Sequence, residues 1–431
     1  MNGSDIGAAR QFLDEALCEV AELEHSLCLQ YLYAAFSLKV RPDEGGIDVV
    51  QTELVREWKG QFLLLAREEM LHLGLVLNLQ AAIGAPPYLR RPNFPQPERY
   101  YPLGTVAALE PFSLAAVDRF LAYEMPAALL PPAPTAGDDA MTARLTVGQL
   151  YDRIRAAIVA ADERELFIGS ELRQVDTVAV IDPEGVLDGE TTTGYGVEPF
   201  AVTCQASALH AVDLIVEQGE GADEAGPDSH YNRLLRIRAE LLAEAEAARR
   251  SGRPFEPTRP ALDNPLVVPA PDAEGGSLIT APLAREAAEL FDAGYALTVL
   301  MLLRFYSRVD ESPSERSVLQ RVLFFPLMTM FTRPLGEILT ELPAGSERAG
   351  PTAGPPFQFQ RGLSLIPERG VALRVFGERL TDLAARAQRL TGRMRDTSTP
   401  PRLTHRMELI AKDLARIRRS FHEATKGAAH D

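Results

Sequence analysis

The sequence predicts an all-α protein: a four-helix bundle with long insertions, followed by a second, C-terminal helical unit. Three observations carry this. Long stretches repeat apolar residues at the three-then-four spacing of a buried helix stripe. Carboxylates interrupt those stripes at matching places on several of the helices. Strand-like patterning is confined to a short run, Val178-Ala179-Val180-Ile181.

The helix over Val55 to Ala82 shows the first two observations together. Its stripe runs Trp58, Phe62, Leu65, Glu69, His72, Val76, Leu79 and on to Ile83, so a carboxylate and an imidazole occupy core positions. Stripping water from an unpaired carboxylate is costly, so a Glu on a buried stripe needs a partner or a metal ion. Glu69 and His72 are three apart and leave one face about a turn from each other, which lets both close on a single ion. Di-iron and di-manganese carboxylate bundles use this Glu-x-x-His unit. An isolated pair of this kind is ordinarily solvated, so the metal reading depends on matching carboxylates elsewhere.

The helix over Ala8 to Leu38 supplies one. Its stripe is Leu13, Leu17, Val20, Leu27, Tyr31, Ala35 and Leu38, with Glu24 between Val20 and Leu27, while His25 points round to a flanking position. Arg41 to Gly46 turns the chain. After Gly84-Ala85-Pro86-Pro87 comes a proline- and aromatic-rich connection, Pro92 to Pro102, of the kind that packs over a site. Helix resumes at Pro111-Phe112-Ser113, carries Leu114, Val117 and Glu124 inward, and breaks at Met125-Pro126. Thr146 to Glu163 is amphipathic through Val147, Leu150, Ile154 and Ile158. The chain then loses its period up to Pro199.

A further inward helix runs from about Thr203 to Glu217, with Ala206, Leu209, Val212 and Val216 as its stripe. Beside that stripe lie His210, Asp213, Glu217 and Glu220, whose spacing fits a metal-facing or a water-facing side equally. Ser229 is an N-cap for the next helix, with His230 at its start and Arg250 near its end. The bundle therefore covers 8–250, a linker or wrap rich in Pro, Gly, Asp and Ala covers 251–282, and four more helical patterns fill 283–425. No Glu-x-x-His recurs in that last part, which is expected to cover or shape the bundle.

The composition excludes some partners. With 431 residues and a net charge of -16, the chain lacks the basic surface that nucleic acid or an anionic membrane requires. The mean hydropathy is -0.07, and the longest apolar runs, Ala296 to Leu303 and Val322 to Phe331, are well short of the ~20 residues that span a bilayer. A soluble, cytoplasmic protein is expected. Cys18, Cys28 and Cys204 have no metal-site spacing, and Cys28 reads as a small core residue.

Glu24, Glu69 with His72, Glu124, and Glu217 with His230 give about the carboxylate and imidazole count that a two-metal bundle site uses, and an oxygen-rich set suits iron or manganese. At these residues the chain resembles the ferritin-like family that includes the violacein-pathway iminophenylpyruvate dimer synthase type. The matching segments are Glu22-Leu23-Glu24-His25 with Tyr31-Leu32-Tyr33, Ala66 to Leu73 with Ala82-Ile83-Gly84, Glu124-Met125-Pro126, and Ile215 to Gly221 with Ser229-His230-Tyr231. The resemblance covers about 8–250 and implies Glu24, Glu69, His72, Glu124, Glu217 and His230 as metal ligands. The chain departs from the ferritin pattern at the fourth helix, where Glu220 stands three residues after Glu217 in place of a His. Either Glu220 ligates or His230 reaches in from the next helix. His230 is favoured, because Glu220 lies between two glycines at a helix end.

What the resemblance implies is a non-haem oxidase or oxygenase with two divalent metal ions, iron first and manganese second. Its substrate would be small and amino-acid-derived, its setting specialised metabolism, its reaction type oxidative coupling, and its co-substrate dioxygen. No residue is assigned as general acid or base; Glu68 and His25 border the site. A homo-oligomer is compatible with this reading. The competing classes are an iron-handling or metal-binding protein without organic chemistry, and a metal-free structural bundle whose buried polar groups pair with one another.

Overall fold

The structure, a computed structural model, describes residues 3–96, 105–126, 129, 146–175, 199–219, 228–307, 310–345 and 350–425. Among these the regular secondary structure is almost wholly helical, as the stripes require. The Val178–Ile181 run, Glu220 and Tyr100-Tyr101 of the aromatic connection lie outside the described residues.

Contacts divide the chain into two units, the first over 1–171 and 201–259, the second over the described parts of 172–200 and 260–431. In the first unit, α1 (Gly3–Ser37) and α2 (Val49–Ala82) pack along one another. Every stripe residue expected on α1 is buried, from Leu13 to Leu38, and so are Trp58, Phe62, Leu65, Val76, Leu79 and Ile83 of α2. Helix α2 begins earlier than its stripe suggests. Asp48 caps it, accepting from the Gln51 amide while the Gln51 side chain accepts from Asp48 N, a reciprocal capping box.

Helix α3 (Leu114–Tyr123) starts at Ser113, which caps Ala116 N as its position predicts. It stops at Glu124, because Pro126 pushes the residue before it out of helical geometry. Thr146 and Gln149 form a second capping box at the start of α4 (Val147–Ala160), and the short α5 (Glu163–Leu166) follows. Next come α6 (Gln205–Gly219) and α7 (His230–Ser251), the latter closed by Gly252 in the left-handed region. Helix α4 packs on α1, and α6 packs on both α4 and α2, which closes a four-helix ring. Helices α3 and α7 pack together, with α7 also meeting α2 and α6.

The second unit contains a two-residue parallel pair, β1 (Pro265–Leu266) with β2 (Ser277–Leu278), and helices α8 (Pro282–Ser307), α9 (Pro313–Val322), α10 (Arg333–Leu339), α11 (Arg369–Asp396) and α12 (Pro401–Thr425). A π-helical stretch, Leu323–Thr332, joins α9 to α10 across Pro326. Buried Arg304 is ion-paired with Asp310 and Glu311 and donates to the Ile366 carbonyl at 3.0 Å. None of the described helices is long and apolar enough to cross a membrane.

Candidate metal centre

Five buried donors meet in the first unit: Glu24 of α1, Glu69 and His72 of α2, Glu124 at the end of α3, and His230 at the start of α7. Their exposures are 2%, 1%, 2%, 4% and 0%. They fall into two groups of three that share Glu69: Glu24, Glu69 and His72, and Glu69, Glu124 and His230. In each group one donor atom per residue lies within 4.8 Å of the others. His72 Nδ1 is 3.5 Å from Glu24 Oε2 and 3.4 Å from Glu69 Oε2. His230 Nδ1 is 2.9 Å from Glu69 Oε1 and 3.4 Å from Glu124 Oε1. The two imidazoles stack with centroids 5.4 Å apart.

Each group is anchored from behind. Tyr151 of α4 donates to Glu24 Oε1 and Tyr31 of α1 donates to Glu124 Oε1, both at 2.5 Å. His72 Nε2 donates to the Gln218 amide oxygen at 2.9 Å, and His230 Nε2 donates to Glu68 Oε2 at 3.1 Å. Glu68 is held in turn by Arg233. With both Nε2 atoms engaged outward, both histidines present Nδ1 to the cluster.

The cluster suits a cation. Burial and the neighbouring Glu69 charge push Glu24 up. Burial also pushes Glu69 up, but the hydrogen bonds from Glu24 and His230 outweigh it and hold Glu69 below the carboxylate range. Burial lowers His72, yet the adjacent Glu24 and Glu69 carboxylates push it up to about 10, and His230 is raised in the same way, Glu124 foremost. Glu69 and Glu124 thus favour the protonated form of their imidazole neighbours, while Glu24 tends to keep its own proton. Glu69 Oε2 is buried and takes no hydrogen bond. The cavity bounded by Glu24, Glu69, His72 and Glu124 has room for about one water-sized sphere. Three carboxylates and the His72 imidazole line this void, and His230 stands against Glu69 and Glu124; such a donor set can hold metal ions of the oxygen- and nitrogen-binding class.

The structure thus brings together Glu24, Glu69, His72, Glu124 and His230. It does not bring in Glu217, whose side chain is exposed, and that expectation is corrected. The buried stripe of α6 is Ala208, Ala211, Val212, Ile215 and Gly219, turned from the stripe read in the sequence, so Glu217 faces away. Asp213, on the exposed side, pairs with Arg155. What α6 does contribute is Gln218, and Gly219, where a Cβ would lie 3.1 Å from Glu124 Oε2. His25 is buried, and burial with the Arg91 charge lowers it to about 3. Sequence reasoning passed over Tyr151 and Gln218 and read Tyr31 as core. The available signal was a tyrosine on an apolar stripe, whose hydroxyl needs a partner once buried.

The chain is 28% identical over 424 residues to dichlorochromopyrrolate synthase of Lentzea aerocolonigenes, covering 88% of this chain and 39% of that one. It is 30% identical over 393 residues to 2-imino-3-(indol-3-yl)propanoate dimerase of Chromobacterium violaceum, covering 87% of this chain and 36% of that one. The chain therefore spans well under half the length of these relatives. No solved structure matches with significance. The ferritin-like family model matches residues 17–239, a span that includes all five clustered donors and more than half of the chain, and the protein belongs to the ferritin-like family.

Proposed function

We propose that the chain is a non-haem dinuclear-metal oxidase or oxygenase, iron first and manganese second, acting on a small amino-acid-derived substrate in specialised metabolism. The observation that supports it best is the shared position of Glu69 between two buried three-donor groups. In this reading Glu24 and His72 would hold one ion, Glu124 and His230 would hold the other, and Glu69, which belongs to both groups, would serve both. Bound there, the metal pair supplies redox chemistry and Lewis acidity next to the substrate. The chain's own residues fix the donors. Tyr31 and Tyr151 orient the outer carboxylates, and Gln218 and Glu68 orient the rings.

The reaction class comes from the relatives' names, a synthase of dichlorochromopyrrolate and a dimerase of an indolic imino acid. Joining two imine units by a new carbon–carbon bond breaks one C–H bond on each and releases two protons and two electrons, which in this proposal reduce dioxygen to hydrogen peroxide. The test is aerobic incubation of iron-loaded and manganese-loaded protein with imino acids generated in place from aromatic amino acids. Dioxygen uptake with a product of dimer mass is expected. Loaded protein that takes up no dioxygen and yields no dimer would overturn the coupling reading, and protein that binds no metal would favour a structural bundle.

A further inference from the structure

The two halves of the cluster match in their carboxylates and differ in their histidines. Glu24 and Glu124 each take one tyrosine hydrogen bond of the same length, 2.5 Å, on Oε1. The asymmetry lies behind the imidazoles. His72 Nε2 donates to a neutral amide, Gln218 at 2.9 Å, on the last turn of α6. His230 Nε2 donates to a carboxylate, Glu68 at 3.1 Å, whose orientation is set by buried Arg233.

From this asymmetry we infer that the two metal positions are unequal: Glu68 and Arg233 act as positioning residues for His230, making the Glu69–Glu124–His230 position the tighter, first-filled one. The inference rests on the dinuclear reading above. A carboxylate acceptor polarises an imidazole N–H more than an amide does, about doubling the strength of the hydrogen bond and raising the basicity of the opposite nitrogen. The Glu68–Arg233 pair is neutral as a unit, as Gln218 is, so net charge does not separate the positions and the quality of the hydrogen bond does. Outer partners of this kind are worth about 10- to 100-fold in metal affinity. One effect opposes it: His230 is the first residue of α7, whose positive end disfavours a cation by about 5- to 30-fold. The range open to the outer partner reaches above this, which leaves the His230 position ahead.

Placement reinforces the order. Glu68 and Glu69 are consecutive on α2, so the residue shared by the two donor groups and the one that grips the far side of His230 share one rigid helix. Gln218 hangs on the final turn of a different helix and is half-buried. Both outer partners reach across a helix–helix contact, but Gln218 does so from the last turn of its helix, so the His72 position is the looser of the two.

The experiment uses the full chain, stripped of metal by chelator and titrated without oxygen with cobalt(II), followed by visible absorption and calorimetry. Two binding steps are expected, the first tighter by about tenfold or more. His230→Ala should abolish the tight step, whereas His72→Ala should keep it and lose the weak one. Glu68→Gln should weaken the tight step about 10- to 100-fold and shift the absorption bands of the first equivalent, and Gln218→Ala should weaken only the second step. Two equal steps in wild type, or a tight step that survives His230→Ala, would overturn the inference while leaving two metals bound. No cobalt uptake by folded wild-type protein would overturn the dinuclear reading itself.

Discussion

His230 Nδ1 lies 2.9 Å from Glu69 Oε1, while Nε2 of the same ring lies 3.1 Å from Glu68 Oε2. Two consecutive residues of α2 thus clasp both ring nitrogens of a histidine from the far end of the first unit. Ser229 makes this reach regular, because it caps α7 and fixes His230 as its first residue. The carboxylate-rich centre is assembled from α1, α2, the end of α3 and the start of α7, with α4 and α6 supplying outer contacts.

A first consequence concerns the tyrosines. Tyr151→Phe would leave Glu24 Oε1 without its tyrosine donor, and Tyr31→Phe would leave Glu124 Oε1 with only the longer His230 Nδ1 contact at 3.4 Å. A buried acceptor left unsatisfied costs about 1–3 kcal/mol, more for a charged one. Each variant should therefore lose at least about 1 kcal/mol in denaturant unfolding, and unchanged midpoints would show that neither hydroxyl matters.

Gly219 sets a steric condition. A Cβ there would stand 3.1 Å from Glu124 Oε2, closer than ordinary contact. Gly219→Val should displace the Glu124 carboxylate and lower metal occupancy while the far-UV circular dichroism stays that of wild type. Full occupancy in the valine variant would mean that Glu124 lies free of α6.

Acidity gives a third test. His72 is pushed up to about 10, well above the ordinary histidine value of 6.5. Above 6.5 the folded metal-free protein holds a proton that the unfolded chain releases, so stability falls as pH rises towards about 10. The slope from this group is at most about 1.4 kcal/mol per pH unit. Metal binding must displace that proton, so proton release on manganese addition, read with an indicator dye near neutral pH, is the expected signal. Binding without proton release would contradict the assignment of His72.

Metal should also stabilise the fold. An ion held only by the native state at about 100 times its Kd adds about 2.7 kcal/mol. Thermal unfolding should shift upward with added iron(II) or manganese(II) in wild type and much less in Glu69→Gln.

Glu217→Ala provides the contrast. Its side chain is exposed and away from the cluster, so stability should change by no more than about 0.5 kcal/mol and metal content should stay constant. A loss of metal in this variant would restore the position to the site.

Much of this centre was legible in the residues. On α1 and α2 the stripes are long enough to fix the helical phase, so Glu24, Glu69 and His72 fell on the buried face by spacing alone. Glu124 was harder, since a helix-end Glu is ordinarily solvated. It is buried here because Pro126 ends α3 at that residue and Tyr31 covers it. Helix α6 misled because Ala206, Leu209, Val212 and Val216 form a plausible stripe, whereas packing selects Ala208, Ala211, Val212, Ile215 and Gly219, about a quarter-turn away, which leaves Glu217 in solvent. Tyr151 and Gln218 could not be read locally, because their partners, Glu24 and His72, lie far away in the chain.

The most direct measurement is metal content by elemental analysis of wild type and Glu69→Gln after anaerobic loading with iron(II) or manganese(II). Near two equivalents in wild type, with both diminished in the variant, is the result expected of a carboxylate shared by two ions. Wild-type protein without metal, or a Glu69→Gln variant that keeps both ions, would contradict the account.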